Sequence, residues 1–172
     1  MKVEIIEISE RPELIDNAVD YIWNCWGSES NKKFYRDCIL NSTDNQKALP
    51  KFYIVTDKEE IIASYALLTN DIISRQDLMP WFACLYVNKT HRNKGIAGQL
   101  LEHGLYETKK KGFDILYLAT DLENFYEKKG WKFFAGVCNL EFSHVLKAVV
   151  KKEFNSFPFV ENLFTSEIVR KL

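Results

Sequence analysis

A short basic loop between two apolar segments carries the residue types that best hold a phosphate group. Residues 88–94 are polar and include His91, Arg92 and Lys94, and Gly95 follows them directly. After Gly95 the apolar residues recur at the spacing of an amphipathic helix. The first turn of a helix has unpaired N–H groups and a partial positive charge, and the missing Cβ of Gly95 lets a ligand approach the backbone. The segment therefore predicts a phosphate-binding loop at the start of a helix.

The spacing within this loop separates it from two common nucleotide-binding motifs. No Gly-Lys-Ser/Thr follows, as a Walker loop requires, and the G-x-G-x-x-G spacing of dinucleotide-binding folds is missing. The order Arg92-x-x-Gly95-x-Ala97 after an apolar strand instead resembles the acetyl-CoA-binding motif of the GNAT N-acetyltransferase family. A tight turn leading into an ordinary surface helix is the alternative interpretation of this segment taken alone.

A second segment resembles the other signature of that family. Residues 125–131 read Phe-Tyr-Glu-Lys-Lys-Gly-Trp, which is similar to the family's aromatic-Tyr-Glu-Lys-x-Gly-aromatic run. Asp121 as N-cap and Gly130 as stop predict a helix here. With two signatures in the right order and spacing, the chain is identified as a member of the GNAT family. The resemblance covers residues 1 to about 153, and is tight only over 81–131.

The resemblance implies roles for nine residues. Tyr126 matches the family's tyrosine that donates a proton to the coenzyme A thiolate, and the backbones of Leu85 and Val87 would face the pantetheine arm. The pyrophosphate would be bound by the matching loop residues, which are Arg92, Asn93, Lys94, Gly95, Ala97 and Gly98. Two alternatives stay open: Tyr126 as an aromatic core residue, and Arg92 and Lys94 as solvated surface charges.

The chain departs from the family pattern at two places. Relatives often have a Glu on or near the strand before the loop, yet Trp81–Val87 contains no carboxylate. The candidates for a general base are Asp77, Asp121, Glu123 and His91, or a water held by backbone carbonyls, and the sequence selects none of them. Many relatives also have an Asn several residues before the tyrosine. Here Thr120 or Asp121 would replace its contact with the pantetheine.

The amine acceptor is expected between the first two helices and the loop of residues 70–80. Asp71 and Asp77 would attract a cationic amine, whereas Arg75 would attract a carboxylate. Other residues of these segments that could flank an acceptor, or belong to the core instead, are Trp23, Trp26, Phe34, Tyr35 and Trp81.

Apolar periodicity predicts elements that fit an α/β fold. Strands are predicted over 3–8, 52–56, 61–68, 81–87, 115–119 and 132 to about 142, and helices over 12–27, 34–40 and beyond Gly95. Residues 144–154 could form a strand or a helix, and a strand is favoured because the family closes its sheet there. The resemblance implies a GNAT-like mixed, mostly antiparallel central sheet flanked by helices.

Composition fits one domain over residues 1–172, with an atypical tail at 155–172 that could support a homodimer. The net charge of −1 gives no general attraction to nucleic acid or membranes, and 47% hydrophobic residues exclude disorder. Four cysteines show no metal-binding spacing, so no metal is expected. The N-terminus lacks the pattern of a signal peptide and no apolar run approaches the roughly 20 residues of a membrane span. A cytoplasmic location is therefore expected.

The resemblance implies an N-acetyltransferase that uses acetyl-CoA as co-substrate. The acceptor is expected to be a primary amine of a small molecule (aminoglycoside-like, polyamine or amino acid derivative) that attacks directly in a ternary complex. A protein N-terminus or lysine is the second choice of acceptor. The alternative function is a GNAT-fold sensor or scaffold that binds acyl-CoA without transferring the acyl group.

Overall fold

A computed structural model describes residues 3–139 and 145–151 of the chain. Seven strands form one sheet in the order β1-β2-β3-β4-β5-β7-β6. The strands are β1 (Ile5–Glu7), β2 (Lys51–Asp57), β3 (Glu60–Leu68), β4 (Trp81–Val87), β5 (Leu116–Thr120), β6 (Lys132–Cys138) and β7 (Val145–Lys151). The helices are α1 (Ile15–Trp26), α2 (Lys32–Asn41) and α3 (Ile96–Lys110). The expected α/β fold with a mixed, mostly antiparallel sheet is confirmed.

The sheet has helices on both faces because its central strands are apolar on both sides. α1 and α2 cover one face, where Ile22 and Ile39 pack against Ile54. On the other face α3 packs Leu100 and Leu105 against β2, β3 and β4. Burial of these apolar side chains is the main stabilising contribution to such a layered domain.

β4 and β5 are the parallel pair within the described sheet, and they separate almost at once. Their one paired position is Trp81 with Tyr117, at the beginning of β4. Beyond it the two strands diverge, and the rest of β4 pairs only with β3 among the strands that the structure describes. The divergence opens a cleft along the second half of β4.

Most predicted elements are confirmed within a few residues. The segment over 144–154 is the strand β7, as favoured, and the first helix begins with a single 3₁₀ turn at Pro12–Leu14 before α1. β6 ends at Cys138, earlier than expected. The tail at 155–172 lies outside the described residues, and the homodimer stays a prediction.

The helix predicted between Asp121 and Gly130 is wrong. Instead of capping with Asp121, the chain turns where the Thr120 hydroxyl accepts the Leu122 N–H at 3.0 Å. Asn124 then adopts a left-handed conformation with φ of 61°. These two local features leave one 3₁₀ turn, Glu127–Lys129, before Gly130 ends it with φ of 80°. Short polar side chains that bond to the nearby backbone compete with helix formation in this way.

A membrane-spanning helix and a metal site each have requirements that the described residues do not meet. None of their helices has the length and apolar character that crossing a membrane requires. In this part of the chain, no group of three or more His, Cys, Asp or Glu side chains is arranged to hold a metal ion.

Candidate active site

The basic loop of residues 88–94 places the uncapped N-terminus of α3 at the cleft. Asn93 and Gly95 have φ values of 61° and 80°, and they turn the chain so that α3 begins at Ile96. No side chain caps this end among the described residues. A Cβ built at Gly95 would have no neighbouring atom within 4 Å. The N–H groups of the first turn, including those of Ala97 and Gly98, therefore border open space that suits a phosphate group.

The basic side chains of the loop have different surroundings. The Arg92 Nε donates a hydrogen bond to the Val87 carbonyl at 3.1 Å, and its guanidinium lies 5.5 Å from the centre of the Tyr86 ring. Lys94 is exposed. His91 lies toward the β2–β3 hairpin, where its Nε2 is 3.5 Å from an Asp57 oxygen. His91 is thus held away from the acceptor side of β4.

Lys129 is a further basic residue at this helix end that the sequence alone did not indicate. A Cβ added at Gly98 would lie 3.6 Å from the Lys129 Nζ. The same ammonium lies 5.5 Å from the centre of the Phe125 ring. The fold thus brings the second signature beside the first turn of α3. A contact between segments 31 residues apart follows from tertiary packing, which the sequence pattern does not contain.

A β-bulge interrupts β4 at the centre of the cleft. Ala83 pairs with Ala66 and Tyr86 with Ser64, so Cys84 and Leu85 together face the single residue Tyr65. Cys84 has a positive φ of 54°, which is unusual within a strand. Such a bulge redirects backbone groups, as is common beside active sites.

Leu85 and Val87 lie in the half of β4 that has separated from β5. Leu85 is half-buried against the core of the α3 face, and Val87 is buried there. Their role toward a ligand would be through the backbone, since both side chains are apolar and packed.

Tyr126 has a buried ring and a hydroxyl group that no described side chain binds. The residue is 8% exposed, and its ring packs edge-on against Phe125 and Trp131 at centroid distances of 4.9 and 6.2 Å. No described side chain is hydrogen-bonded to the hydroxyl. Burial, helped by the negative charge of Asp121, raises the pKa of Tyr126 to about 12. The phenol is therefore fully protonated at neutral pH, which is the form that a proton donor needs.

The backbone around Tyr126 is fixed by the 3₁₀ turn that follows it. The Tyr126 carbonyl accepts the N–H groups of Lys129 and Trp131 at 2.9 and 3.2 Å. Glu127 is joined to Lys147 of β7 at 3.1 Å. The turn is thus attached to the sheet, and the ring of Tyr126 is held in one position although the expected helix is absent.

In the loop between β3 and β4, one candidate base, Asp77, is paired with a basic side chain. Arg75 forms two hydrogen bonds with the Asp77 carboxylate at 2.7 and 2.5 Å, and this pairing lowers the pKa of Asp77. A carboxylate that is already paired and weakly basic is a poor proton acceptor. Asp121 and Glu123 are exposed on the other side of the cleft, in the segment before Tyr126.

Of the residues expected to flank the amine acceptor, some lie in the core and others at the surface. Trp81 is fully buried and donates its Nε1–H to the Leu78 carbonyl at 2.6 Å, as a core residue does. Trp26 is 49% exposed and contacts Tyr86 edge-on. The Tyr35 hydroxyl donates to the Trp26 carbonyl at 3.0 Å, which ties α2 to the end of α1. An aromatic wall, defined as Trp26, Tyr35 and Tyr86, thus stands on the α1 and α2 side of β4.

Asp71 lies on the same side of β4. The residue is half-buried, and its charge contributes to raising the pKa values of the Cys84 thiol and the Tyr35 hydroxyl. It has no hydrogen bond or ion pair with any residue in the described ranges. Sequence reasoning placed Asp71 near the acceptor but did not consider it as a base. The signal that could have indicated it is its isolation beside the apolar pair Ile72 and Ile73.

A family model described as an acetyltransferase (GNAT) domain matches residues 48–133, which are half of the chain. The match contains β2 to β5, the phosphate loop, α3 and the Tyr126 segment. No curated protein matches the chain in a sequence search.

Solved structures with the same fold include several acetyltransferases. Aminoglycoside 6′-acetyltransferase type Ii has a TM-score of 0.66 and 18% identity, over 88% of this chain and 97% of its own. An aminoglycoside 6′-N-acetyltransferase complexed with coenzyme A has a TM-score of 0.64 and 17% identity, over 86% of this chain and 96% of its own. A GNAT family acetyltransferase from Elizabethkingia anophelis with acetyl-CoA bound has a TM-score of 0.59 and 17% identity, over 88% and 98%. At these identities the likeness concerns the fold.

Proposed function

The chain belongs to the GNAT acetyltransferase family, and from this premise we propose that it transfers the acetyl group of acetyl-CoA to a primary amine of a small molecule. The observation that carries the proposal is the cleft between β4 and β5. The open N-terminus of α3 lies at its end, and Tyr126 packs in the same core cluster as Val87 of β4 and Ile96 of α3. Anion-binding N–H groups and a proton donor along one cleft are what a thioester of a nucleotide requires.

The residues that would hold acetyl-CoA follow from this arrangement. The pyrophosphate would be bound by the N–H groups of Gly95, Ala97 and Gly98, with Asn93 setting the turn and the positive charges of Arg92 and Lys94 close by. The backbones of Leu85 and Val87 would pair with the pantetheine amides, because β5 has moved away from this part of β4.

Direct attack of the amine is favoured over an acyl-enzyme. The cysteine nearest the thioester position is Cys84, and burial raises the pKa of its thiol well above the usual range. A thiol that stays protonated is a poor nucleophile. The acetyl group would then pass in one step, with a new C–N bond formed and the C–S bond broken. Tyr126 would give its proton to the leaving thiolate.

A small-molecule acceptor is supported by two of the neighbouring structures, which are described as aminoglycoside acetyltransferases. A peptide amine is the second choice, because the same chemistry applies to an N-terminus or a lysine. A cytoplasmic location is proposed as well, since Cys25, Cys38, Cys84 and Cys138 are all free thiols, as is usual in a reducing compartment.

The first experiment measures acetyl-CoA binding by isothermal titration to wild type, Gly95→Glu and Gly112→Glu. Both glycines have positive φ values (80° and 87°) and open space around a Cβ, so the two substitutions have similar conformational costs. Only Gly95→Glu places a carboxylate where the pyrophosphate would lie. We expect micromolar binding that Gly95→Glu weakens about 100-fold or more, as like charges in contact repel strongly.

Gly112→Glu, at the end of α3, should bind acetyl-CoA like the wild type. Failure of the wild type to bind, or equal losses in both variants, would contradict the proposed cofactor site.

A turnover assay separates an enzyme from a sensor that only binds acyl-CoA. Release of the coenzyme A thiol is followed with kanamycin, spermidine, lysine, tyramine and a short peptide as acceptors. Turnover with one or more of these amines supports the transferase. Tight binding of acetyl-CoA without turnover on any amine would favour the sensor.

A further inference from the structure

The chain lacks a carboxylate on β4, so a carboxylate that accepts the proton of the attacking amine has to come from another element. Asp71 lies on the loop between β3 and β4, on the side of β4 that faces α1 and α2. Its negative charge acts on the Cys84 thiol in the β4 bulge and on the Tyr35 hydroxyl of α2. The carboxylate is therefore within electrostatic reach of the β4 bulge, beside which the proposed thioester would meet an amine.

The loop holds Asp71 in one place. The Asn70 side-chain oxygen accepts the Ile73 N–H at 3.3 Å and the Gln76 amide at 2.9 Å. Ile72, directly after Asp71, has a φ of 51°, which is a strained conformation for a β-branched residue. Strain of this kind persists only where the surroundings fix the backbone, and it is concentrated at functional sites.

A second set of contacts ties this loop to β6. The Ser74 N–H donates to the Cys138 carbonyl at 2.8 Å, and the Cys138 N–H donates to the Ser74 hydroxyl at 3.0 Å. Ile73 beside them is only 5% exposed. The loop is thus attached on both sides of the strained residue, so Asp71 has a preorganised position rather than a free one.

The carboxylate of Asp71 differs from the other acids of this region in having no partner among the described residues. Asp77 is paired with Arg75, Asp16 with Arg36 and Asp20 with Lys32. An unpaired carboxylate in apolar surroundings lowers stability, and groups of this kind are concentrated at functional sites.

We propose that Asp71 is the general base of this chain, and that it takes the proton of the acceptor amine from the β3–β4 loop instead of from β4. The inference rests on the proposed function. An ammonium group of the acceptor gives one proton to the Asp71 carboxylate, and the neutral amine attacks the thioester carbon. The C–N bond forms, the C–S bond breaks, and the thiolate takes the proton of Tyr126. Asp71 then releases its proton to water, and water accepts the remaining proton of the amine and reprotonates Tyr126.

The electrostatic environment of Asp71 suits this role. Burial raises the pKa of Asp71 to about 7, which is close to the pH at which a base would work. The titratable groups that interact electrostatically with Asp71 are Tyr35 of α2 and Cys84 of β4, and both of these interact in turn with Cys38 of α2. Burial raises the pKa of each of them, so they stay neutral while Asp71 titrates.

The test compares Asp71→Asn with Asp77→Asn, a matched change in the same loop, using the best amine of the acceptor panel. Asp71→Asn should lower kcat about 100-fold or more, the usual contribution of a general base, with acetyl-CoA affinity unchanged. The wild-type pH profile of kcat should have an acidic limb near pH 7 that Asp71→Asn lacks. Asp77→Asn should stay within a few-fold of the wild type.

A stability measurement keeps the inference testable even if activity is low. Because the pKa of Asp71 is raised in the folded state, its cost to stability is small at pH 4, increases as the pH rises toward 7 and is complete above that. Asp71→Asn should therefore have a higher Tm than the wild type at pH 8 and a nearly equal Tm at pH 4.

Three results would overturn the proposal. They are an Asp71→Asn variant with unchanged kcat, a variant that raises only KM, and a Tm that falls at pH 8. Failure of the wild type to acetylate any amine would instead overturn the proposed function, and the inference with it.

Discussion

At the scale of single residues, the proposed proton transfer in the cleft depends on Tyr126. Substitution of Tyr126 by Phe removes the hydroxyl and keeps the ring that packs on Phe125 and Trp131. If the hydroxyl protonates the leaving thiolate, kcat should fall about 100-fold, at the lower end for a general acid because a thiolate is a good leaving group. Steady-state kinetics and acetyl-CoA titration measure the two effects separately, and the affinity should be unchanged.

Tyr117→Phe provides the control for this substitution. Tyr117 is a tyrosine of β5 with almost the same exposure, 7% against 8%, and it packs beside Trp81. Its kcat should stay within a few-fold of the wild type. Equal rates in Tyr126→Phe and the wild type would remove Tyr126 from the mechanism.

The residue scale also shows what the sequence could and could not predict. The basic loop and the helix that follows it could be predicted because their signals are local: a strand, basic residues and a glycine before a helix. The raised pKa of Asp71 could not be predicted, because it comes from burial of the carboxylate in the folded chain. Desolvation is a property of the tertiary structure, whereas Arg75 and Asp77 are close enough in sequence for pairing to be foreseen.

At the scale of elements, apolar periodicity predicted most strands and helices. The exception is the helix predicted after β5, which local hydrogen bonds prevent. The segment after β5 has a helical pattern of apolar residues, yet the Thr120 hydroxyl and the left-handed Asn124 prevent the helix. The separation of β4 from β5 is likewise set by tertiary packing and by the bulge at Cys84. The alternation of residues in β4 did not indicate this separation.

α3 contributes to stability through a polar network inside the α3 face of the sheet. The hydroxyl of Tyr65 lies 2.6 Å from the Nδ1 of His103. Burial raises the pKa of Tyr65 well above the usual range, so the hydroxyl is the donor and Nδ1 accepts. A neutral imidazole is therefore required. Burial, together with Lys110 and Lys111, lowers the pKa of His103 to about 4.

This shift predicts how stability depends on pH. Between about pH 6.5 and 4 the unfolded state binds a proton at His103 that the folded state does not, so the contribution falls as the pH falls. The lowered pKa of His103 corresponds to roughly 3 kcal/mol of unfolding free energy lost on full acidification. Asp71 titrates in the same window with the opposite sign, so the wild type alone would show only the difference.

Urea unfolding of the wild type and His103→Gln at pH 7 and pH 4.5 isolates the histidine. The Gln side chain can accept the Tyr65 hydrogen bond and does not titrate. The wild type should lose more stability than the variant on acidification. Parallel pH dependences in the two proteins would show that His103 is not the titrating group.

At the scale of the whole molecule, the charge distribution bears on the choice of acceptor. The net charge is −1, and three aspartates near α1, α2 and the β3–β4 loop are paired with the protein's own basic residues. A polycation such as an aminoglycoside needs several free carboxylates, and pairing of these acids leaves fewer for it. The same elements also expose large apolar side chains, since Trp26, Phe34, Ile72 and Met79 are all more than 45% exposed.

We therefore expect tyramine to have a kcat/KM at least about tenfold above that of kanamycin, the size of one aromatic or cation–π contact. Trp26 is the residue to test, because half of its surface is exposed beside Tyr86 and its removal leaves the core unchanged. Trp26→Ala should lower kcat/KM for tyramine about tenfold and leave the value for kanamycin almost the same. A preference of the wild type for kanamycin would contradict this expectation, as would an equal loss for both amines. The second result would mean that Trp26 supports the fold of the site and does not contact the acceptor.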